Sequence, residues 1–266
     1  MSEALRVERD GAIARVTLAR PEVRNAFDES LIAALATAFG ALADEPPDAL
    51  RAVVLAGDGP TFCAGADVAW MHASARLSRE ENERDAARLH AMLTAIDACP
   101  VPVIAAVQGA ALGGGMGLIA VSDTVLAATD AQFGFTETRL GIIPAVIGPF
   151  VLAKIGEAHA RALFPPGGRF GADRALRIGL VHEVVADASA LTRRVDEAVA
   201  DLLRAGPTAA RAAKALVREL RGLAPAQART LTIRRIADQR TSPEGQEGLT
   251  AFLERRAPAW IEAEPD

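Results

Sequence analysis

Residues 101–117 read VPVIAAVQGAALGGGMG, an apolar run followed by a glycine-rich run. Residues 101–107 have the continuous apolar composition of a buried strand, and residues 109–117 form a loop that leads into an apolar helix. A strand, a glycine loop and a helix in this order expose backbone N–H groups at the N-terminus of the helix. The segment has almost no reactive side chains, so chemistry here would use the backbone.

The same order of elements recurs along the chain. Asp10-Gly11 is a hairpin turn signal, Asp28 is a plausible helix N-cap, and Ser78 with Glu81 forms a capping box for a helix that reaches about residue 98. Strands are predicted at residues 4–9, 12–18, 52–56, 101–107, 123–128 and 181–185. Strands that alternate with helices predict an α/β fold with a largely parallel, buried sheet.

The strand pattern ends near residue 189. Three or four helices are predicted beyond it, divided near residues 206–207, 222–225 and 242–243. The sequence of 266 residues is long enough for one large core. We therefore predict a catalytic core over residues 1–188 and a helical region over residues 189–266 that covers the core or meets other subunits.

Composition excludes several classes of protein. The net charge of −5 disfavours nucleic acid as a partner. The longest apolar runs, residues 110–121 and 142–153, are interrupted by Gly or Pro, so no transmembrane segment is expected. The first residues lack the apolar core of a signal peptide, so none is expected either. Cys63 and Cys99 do not form a metal-binding pattern, which favours reduced thiols in a cytoplasmic protein; Cys63 is either a nucleophile or a buried thiol.

A second loop, FCAGADV at residues 62–68, also follows a strand. If one N–H group from each loop pointed at a thioester carbonyl, the pair would stabilise an enolate, and a single donor of this kind contributes roughly 3–4 kcal/mol. The glycine run lacks the Gly-Lys-Ser/Thr ending of a phosphate loop. Close packing of a helix explains it equally well at this stage.

Four motifs, in this order, resemble the enoyl-CoA hydratase/isomerase (crotonase) superfamily. They are RPEVRNA at 20–26, FCAGADV at 62–68, PVIAAVQGAALGGG at 102–115 and AQFGFTETRLGIIP at 131–144. Further matches at residues 179–181 and 247–256 extend the resemblance over nearly the whole chain. It implies an α/β crotonase fold, a spiral of ββα units with a helical C-terminal trimerisation region, in a homotrimer or a dimer of trimers.

The resemblance also implies a site for an acyl-CoA substrate. Coenzyme A enters as part of the substrate, and no separate cofactor, metal or membrane is expected. Ala66 and Gly114 would donate the oxyanion-hole N–H groups. The CoA moiety would contact Arg24 near its phosphates, Ala64, Asp67 and Val68 along the adenine and pantetheine path, and Phe252 and Arg255 of a neighbouring subunit.

Only one of the two catalytic carboxylates of the family's hydratases is present in this sequence. Hydratases of this family place one Glu in the helix after the glycine run and a second in the Phe-Gly-x-x-Glu segment; here these positions are Gly117 and Glu137. Asp123 follows as a structural residue. We predict that Glu137 lies against an apolar wall, which raises its pKa. The same sequence is also expected of a carboxylate that only stabilises the start of a short helix. The predicted wall consists of Phe133, Phe135, Ile142 and Ile143.

Three functions remain open. The first is hydration of a 2-enoyl-CoA, with branched and carboxylated chains among the candidates, because methylglutaconyl-CoA-type hydratases resemble this chain and also carry Gly at the first position. In such a hydratase, a carboxylate of the substrate or a water bound above Gly117 would replace the missing first Glu. The second is 3,2-isomerisation by a single Glu, and the third is an acyl-CoA-binding subunit with little turnover. Hydrolysis is disfavoured because Ala145 stands where the hydrolase branch has Asp.

Overall fold

The computed structural model describes residues 4–261, and nine strands lie within them. They are β1 (Leu5–Asp10), β2 (Ile13–Leu18), β3 (Ala52–Gly57), β4 (Val103–Val107), β5 (Ala110–Leu112), β6 (Thr124–Ala128), β7 (Gln132–Gly134), β8 (Arg169–Gly171) and β9 (Glu183–Val185). The main sheet has the order β1-β2-β3-β4-β6-β9 and is parallel except for the antiparallel pair β1 and β2. The predicted hairpin is confirmed: Asp10 pairs with Ile13, and Gly11 has a φ of 54°.

Ten α-helices lie within the same described residues. They are α1 (Glu29–Ala43), α2 (Val68–Ser74), α3 (Arg79–Asp97), α4 (Gly114–Val121), α5 (Gly148–Leu163), α6 (Ala172–Arg177), α7 (Ala188–Arg204), α8 (Pro207–Glu219), α9 (Pro225–Thr241) and α10 (Pro243–Glu254). Both predicted N-terminal caps are confirmed. Asp28 accepts a hydrogen bond from Leu31 N at 2.8 Å, and Ser78 and Glu81 form a reciprocal capping box. The last three helix boundaries also fall where Gly and Pro predicted them.

A second sheet lies where the sequence predicted only a loop. Residues 110–112 form β5, which pairs in parallel with β7, and β7 pairs antiparallel with β8. Three-residue strands are too short to show a period of two, which is why the pattern missed them. The small sheet fixes the start of the glycine run, because Gly113 N donates a hydrogen bond to Gly134 O at 2.9 Å.

Helix α4 lies at the centre of the core, with Gly115 and every later residue of the helix buried. The other face of the main sheet is covered by α7, whose buried side chains Leu191, Val195 and Val199 pack on a cluster from β2, β3, β4 and β6. The predicted boundary between residues 188 and 189 therefore falls at the first residue of a helix that packs on the core. The outer ends of the two predicted regions, residues 1–3 and 262–266, lie outside the described residues.

Asp123 has the structural role that the sequence predicted. Its Oδ2 accepts hydrogen bonds from Val103 N at 2.8 Å and from Lys214 Nζ at 2.5 Å. Lys214 also donates to Val101 O at 2.9 Å, so this side chain ties α8 to the start of β4. Across residues 4–261, none of the helices combines the length and apolarity needed to cross a membrane.

Candidate active site

The two glycine-bearing loops lie side by side, as predicted. Cys63 forms a parallel bridge with Ala111: Cys63 N donates to Ala110 O, and Leu112 N donates to Cys63 O, both at 3.0 Å. The loops approach so closely that a Cβ on Gly65 would lie 2.8 Å from Leu112 O. With a φ of 93°, Gly65 also has a backbone conformation that favours glycine.

A parallel bridge between Phe27 and Ala66 sets the direction of the Ala66 N–H group. Phe27 N donates to Gly65 O, and Asp67 N donates to Phe27 O, both at 2.7 Å. The two residues flanking Ala66 therefore bond to Phe27, and the amide of Ala66 itself faces away from it. Within the described residues, Ala66 N donates no hydrogen bond.

The first residue of α4, Gly114, supplies a second unpaired N–H group. Its amide precedes the first intrahelical hydrogen bond and makes no other one within residues 4–261. The preceding Gly113 has φ 49° and ψ −117°, which essentially requires glycine. A Cβ on Gly114 would lie 2.6 Å from Phe27 Cδ2, so this position also excludes larger residues.

Ala66, Gly114 and Glu137 line the same cavity, which has a volume of about 280 Å³. Glu137 lies in a short 3₁₀ helix, Thr136–Leu140, and a Cβ on Gly113 would lie 3.6 Å from Glu137 Oε1. Glu137 Oε2 is buried and accepts no hydrogen bond. Burial raises the pKa of this carboxyl group above its ordinary value. The cavity therefore combines two unpaired N–H donors with a buried carboxyl group whose pKa is raised.

The apolar wall was predicted only in part. Ile142 and Ile143 line the cavity, but Phe133 and Phe135 do not. Both phenylalanines are fully buried in the core, where each ring packs against Phe170. Other large apolar side chains that line the cavity are Phe27, Trp70, Met71, Leu89, Leu140, Val146 and Ile147.

The expected space above Gly117 does not exist. A Cβ on Gly117 would lie 2.6 Å from Ile147 Cγ2 and 3.3 Å from both terminal methyl groups of Leu93. Ile147 and Leu93 are buried, and Gly117 does not line the cavity. The prediction of a bound water or substrate carboxylate at this point is therefore wrong, because aliphatic side chains fill the position of the family's first Glu.

The remaining predicted CoA contacts fall into three groups. Ala64 lines the cavity, and its N–H donates to the carbonyl of the exposed Arg24 at 2.9 Å, so these two residues adjoin the oxyanion loops. Phe252 and Arg255 lie at the exposed end of α10, and neither lines the cavity. Within one chain, the structure does not bring these two residues to the site.

Asp67 and Val68 lie at the start of α2, outside the cavity. The Asp67 carboxylate accepts hydrogen bonds from Ala69 N at 2.8 Å and Trp70 N at 3.3 Å, and it pairs with Arg20 at 3.3 Å. These contacts give Asp67 a structural role. Val68 is 74% exposed and free to contact a ligand that runs past the loop.

Sequence reasoning missed the polar side chains that α3 brings into the cavity. Asn82, Asp85, Ala86 and Leu89 all line it, and their i, i+3, i+4, i+7 spacing places them on one face of the helix. This spacing was visible in the sequence, but nothing local to α3 showed that this face meets Glu137.

Cys63 is a buried thiol and not a nucleophile, because complete burial raises its pKa to about 12. Within the described part of the chain, no group of three or more His, Cys, Asp or Glu side chains could hold a metal ion.

One cavity thus holds two unpaired backbone N–H groups and a buried carboxyl group. Groups of these kinds are able to stabilise negative charge on a carbonyl oxygen and to move a proton. The sequence pattern of the enoyl-CoA hydratase/isomerase family matches residues 8–263. The chain belongs to this family of enzymes.

Characterised relatives and solved structures agree with this assignment. A crotonyl-CoA hydratase from Syntrophomonas wolfei is 34% identical over 263 residues, which cover 97% of this chain and 98% of the relative. A cyclohexa-1,5-dienecarbonyl-CoA hydratase from Thauera aromatica is 34% identical, with coverage of 96% and 95%.

Two solved structures show the same crotonase fold. Pseudomonas aeruginosa AtuE is 38% identical and superposes with a TM-score of 0.94, covering 98% of this chain and 100% of its own. An enoyl-CoA hydratase from Shewanella pealeana is 35% identical, with a TM-score of 0.91 and coverage of 97% and 96%. The predicted fold class is confirmed.

Proposed function

We infer that this enzyme hydrates a 2-enoyl-CoA through an enolate, with Glu137 as its acid/base. The observation that carries this inference is the buried, unpartnered Glu137 Oε2 in the cavity lined by Ala66 and Gly114. A carboxylate left without a partner is costly to the fold, and such groups are concentrated at functional sites. The thioester carbonyl would accept hydrogen bonds from the two N–H groups.

In the forward reaction, the ionised Glu137 takes a proton from water while the water oxygen forms a bond to Cβ. The electrons of the double bond move toward the thioester, and the resulting enolate oxygen is held by the Ala66 and Gly114 N–H groups. Glu137 then returns its proton to Cα. One water is added overall and the carboxylate is regenerated. The oxygen bonded to Cβ and the proton bonded to Cα both come from the side of the substrate that faces Glu137.

The filled position above Gly117 favours a second candidate, 3,2-isomerisation. A single base is enough for this reaction: Glu137 removes a proton from Cα of a 3-enoyl-CoA and returns it at Cγ, with the dienolate held in the oxyanion hole. Ile147 and Leu93 exclude a second carboxylate from the position where the family's hydratases carry one.

The cavity lining does not support a distal carboxylate on the substrate. None of the described residues that line the cavity is Lys, Arg or His, and two of them, Glu137 and Asp85, are acidic. A carboxylated chain would enter a site of its own charge without a cation to balance it. Membership of the methylglutaconyl-CoA branch therefore stays a prediction from sequence.

Product analysis separates the three candidate functions. We expect a 2-enoyl-CoA incubated with the enzyme to gain the mass of one water, faster than a 3-enoyl-CoA is converted to its isomer. Conversion of the 3-enoyl-CoA alone, without a gain of mass by the 2-enoyl-CoA, would replace hydration by isomerisation. Tight binding without any product, unchanged in Glu137→Gln, would leave the binding-subunit alternative.

The C-terminal helices carry the surface that we propose for contacts between subunits. Apolar side chains exposed there are Val217, Ile233, Ile236, Leu249, Phe252 and Leu253. Helix α9 buries none of its residues within the chain. An apolar surface of this kind is typical of an oligomer, and a sedimentation mass three or six times that of one chain would agree with the predicted trimer or dimer of trimers.

A further inference from the structure

The wall that α2 and α3 contribute to the cavity contains three side chains with oxygen atoms. Ser74 lies at the end of α2, and Asn82 and Asp85 lie one turn apart on α3. Asp85 is only 7% exposed, whereas Asn82 is exposed, so the polar wall runs from the buried interior toward solvent. None of the three has a part in the proton transfer described above.

Asn82 and Ser74 use their side-chain N–H and O–H donors in hydrogen bonds to backbone carbonyls, and their side-chain oxygens remain available as acceptors. Asn82 Nδ2 donates to the carbonyls of Ser74, Leu77 and Ser78 at 3.3, 3.2 and 3.1 Å. Three carbonyl partners fix the orientation of this amide, and its Oδ1 stays available. Ser74 Oγ donates to Met71 O at 2.8 Å, so its remaining capacity is as an acceptor.

Asp85 presents a third acceptor. Arg88 Nη2 donates to Asp85 Oδ1 at 2.9 Å and also pairs with Glu29 at 3.3 Å. Asp85 Oδ2 accepts no hydrogen bond from the described residues, and Asp85 lines the cavity. A nearly buried carboxylate oxygen without a donor calls for one from the ligand.

We propose that Asp85 selects acyl chains that carry a hydrogen-bond donor, a hydroxyl or an amino group, beyond the reacting carbons. Three acceptors with no donor among them complement an O–H or N–H group, leave a plain alkyl chain unmatched and repel a carboxylate. The proposal rests on the proposed function, because it places an acyl-CoA in this cavity. It assigns a specificity-determining role to Asp85, with Asn82 and Ser74 as secondary contacts.

Binding of unreactive saturated acyl-CoAs tests the proposal without turnover. The set comprises chains of equal length that end in methyl, hydroxyl, amino or carboxyl, measured by calorimetry over a series of lengths. At the best length, we expect the hydroxyl or amino form to bind about tenfold more tightly than the methyl form, and the carboxyl form to bind more weakly than both. Equal binding of all four, or a preference for carboxyl, would overturn the proposal.

Two substitutions at Asp85 separate its possible roles. Asp85→Leu should reduce the donor-to-methyl binding ratio to about one, because the acceptor is lost. Asp85→Asn conserves the shape of the side chain and one acceptor oxygen, so it should keep the preference for hydroxyl. It should weaken the preference for amino, because an amino group is protonated near neutral pH and the negative charge that attracts it is lost. A ratio that persists in both variants contradicts the proposal, and the Asn variant provides the test if the Leu variant fails to fold.

Arg88→Gln is the matched control. It removes the ion pair with Asp85 but leaves the Asp85 oxygen in the cavity, so the donor preference should persist. If Asp85→Asn instead stops hydration of a methyl-ended 2-enoyl-CoA as completely as Glu137→Gln does, Asp85 is a catalytic residue and the selectivity role is wrong. Failure of the wild-type enzyme to produce any product would count against the proposed function, while the binding ratios would still decide this proposal.

Discussion

Glu137→Gln should lower kcat for hydration by about 10³-fold, within the range that a positioned acid/base contributes. The amide has nearly the shape of the carboxyl group, so the substrate should still bind, and KM should change far less than kcat. The reason is chemical: an amide cannot take a proton from water or return one to Cα. Steady-state kinetics with a 2-enoyl-CoA measures both constants.

The pH profile of the wild-type enzyme provides an independent check on the same residue. The base must be ionised, so kcat/KM should fall as the pH is lowered through the pKa of Glu137. Because burial raises that pKa, the fall should be centred above the ordinary glutamate value of about 4.3.

Glu157→Gln, an exposed glutamate of α5 that pairs with Arg161, is the matched control and should leave kcat unchanged. Full activity in Glu137→Gln would contradict the mechanism.

Gly117→Glu should fail to restore the family's first carboxylate and should instead destabilise the fold. Its Cβ would lie 2.6 Å from Ile147 Cγ2, and the rest of the side chain would enter a packed aliphatic region. Overpacking together with burial of a polar group should lower the free energy of unfolding by about 3 kcal/mol or more. Chemical denaturation monitored by circular dichroism measures this loss.

The double variant Gly117→Glu with Ile147→Gly separates crowding from chemistry. Removing the Ile147 side chain opens the space that the glutamate needs, so the double variant should be more stable than Gly117→Glu alone. A stable single variant that hydrates a 2-enoyl-CoA faster than the wild type would show that the position is open, contrary to the contacts of Ile147 and Leu93.

The elements that the sequence predicted well are those with local signals. The hairpin at Gly11, the cap at Asp28 and the capping box at Ser78 depend on residues within one turn of each other. The resemblance of the two loops to a known family placed Ala66 and Gly114, and the structure brings both to one cavity with Glu137.

The errors concern residues whose neighbours come from distant segments. Nothing near Gly117 in the sequence indicates that Ile147, from the segment before α5, occupies the space above it. The same is true of Asp85, whose helix meets the 3₁₀ helix of Glu137 only in the folded chain. Phe133 and Phe135, which the sequence predicts as part of the apolar wall beside Glu137, are fully buried in the core and do not line the cavity. Short-range patterns do not determine such long-range contacts.

The central claim is that the Ala66 and Gly114 N–H groups polarise the thioester carbonyl of a substrate beside Glu137. Isotope-edited infrared spectroscopy tests it directly, with a 2-enoyl-CoA labelled at the thioester carbonyl and bound to Glu137→Gln, which turns over too slowly to consume it. We expect the labelled carbonyl band to move to a lower wavenumber than in water, because two preorganised donors weaken the bond more than solvent does. A band at the wavenumber of the free thioester in water would contradict it.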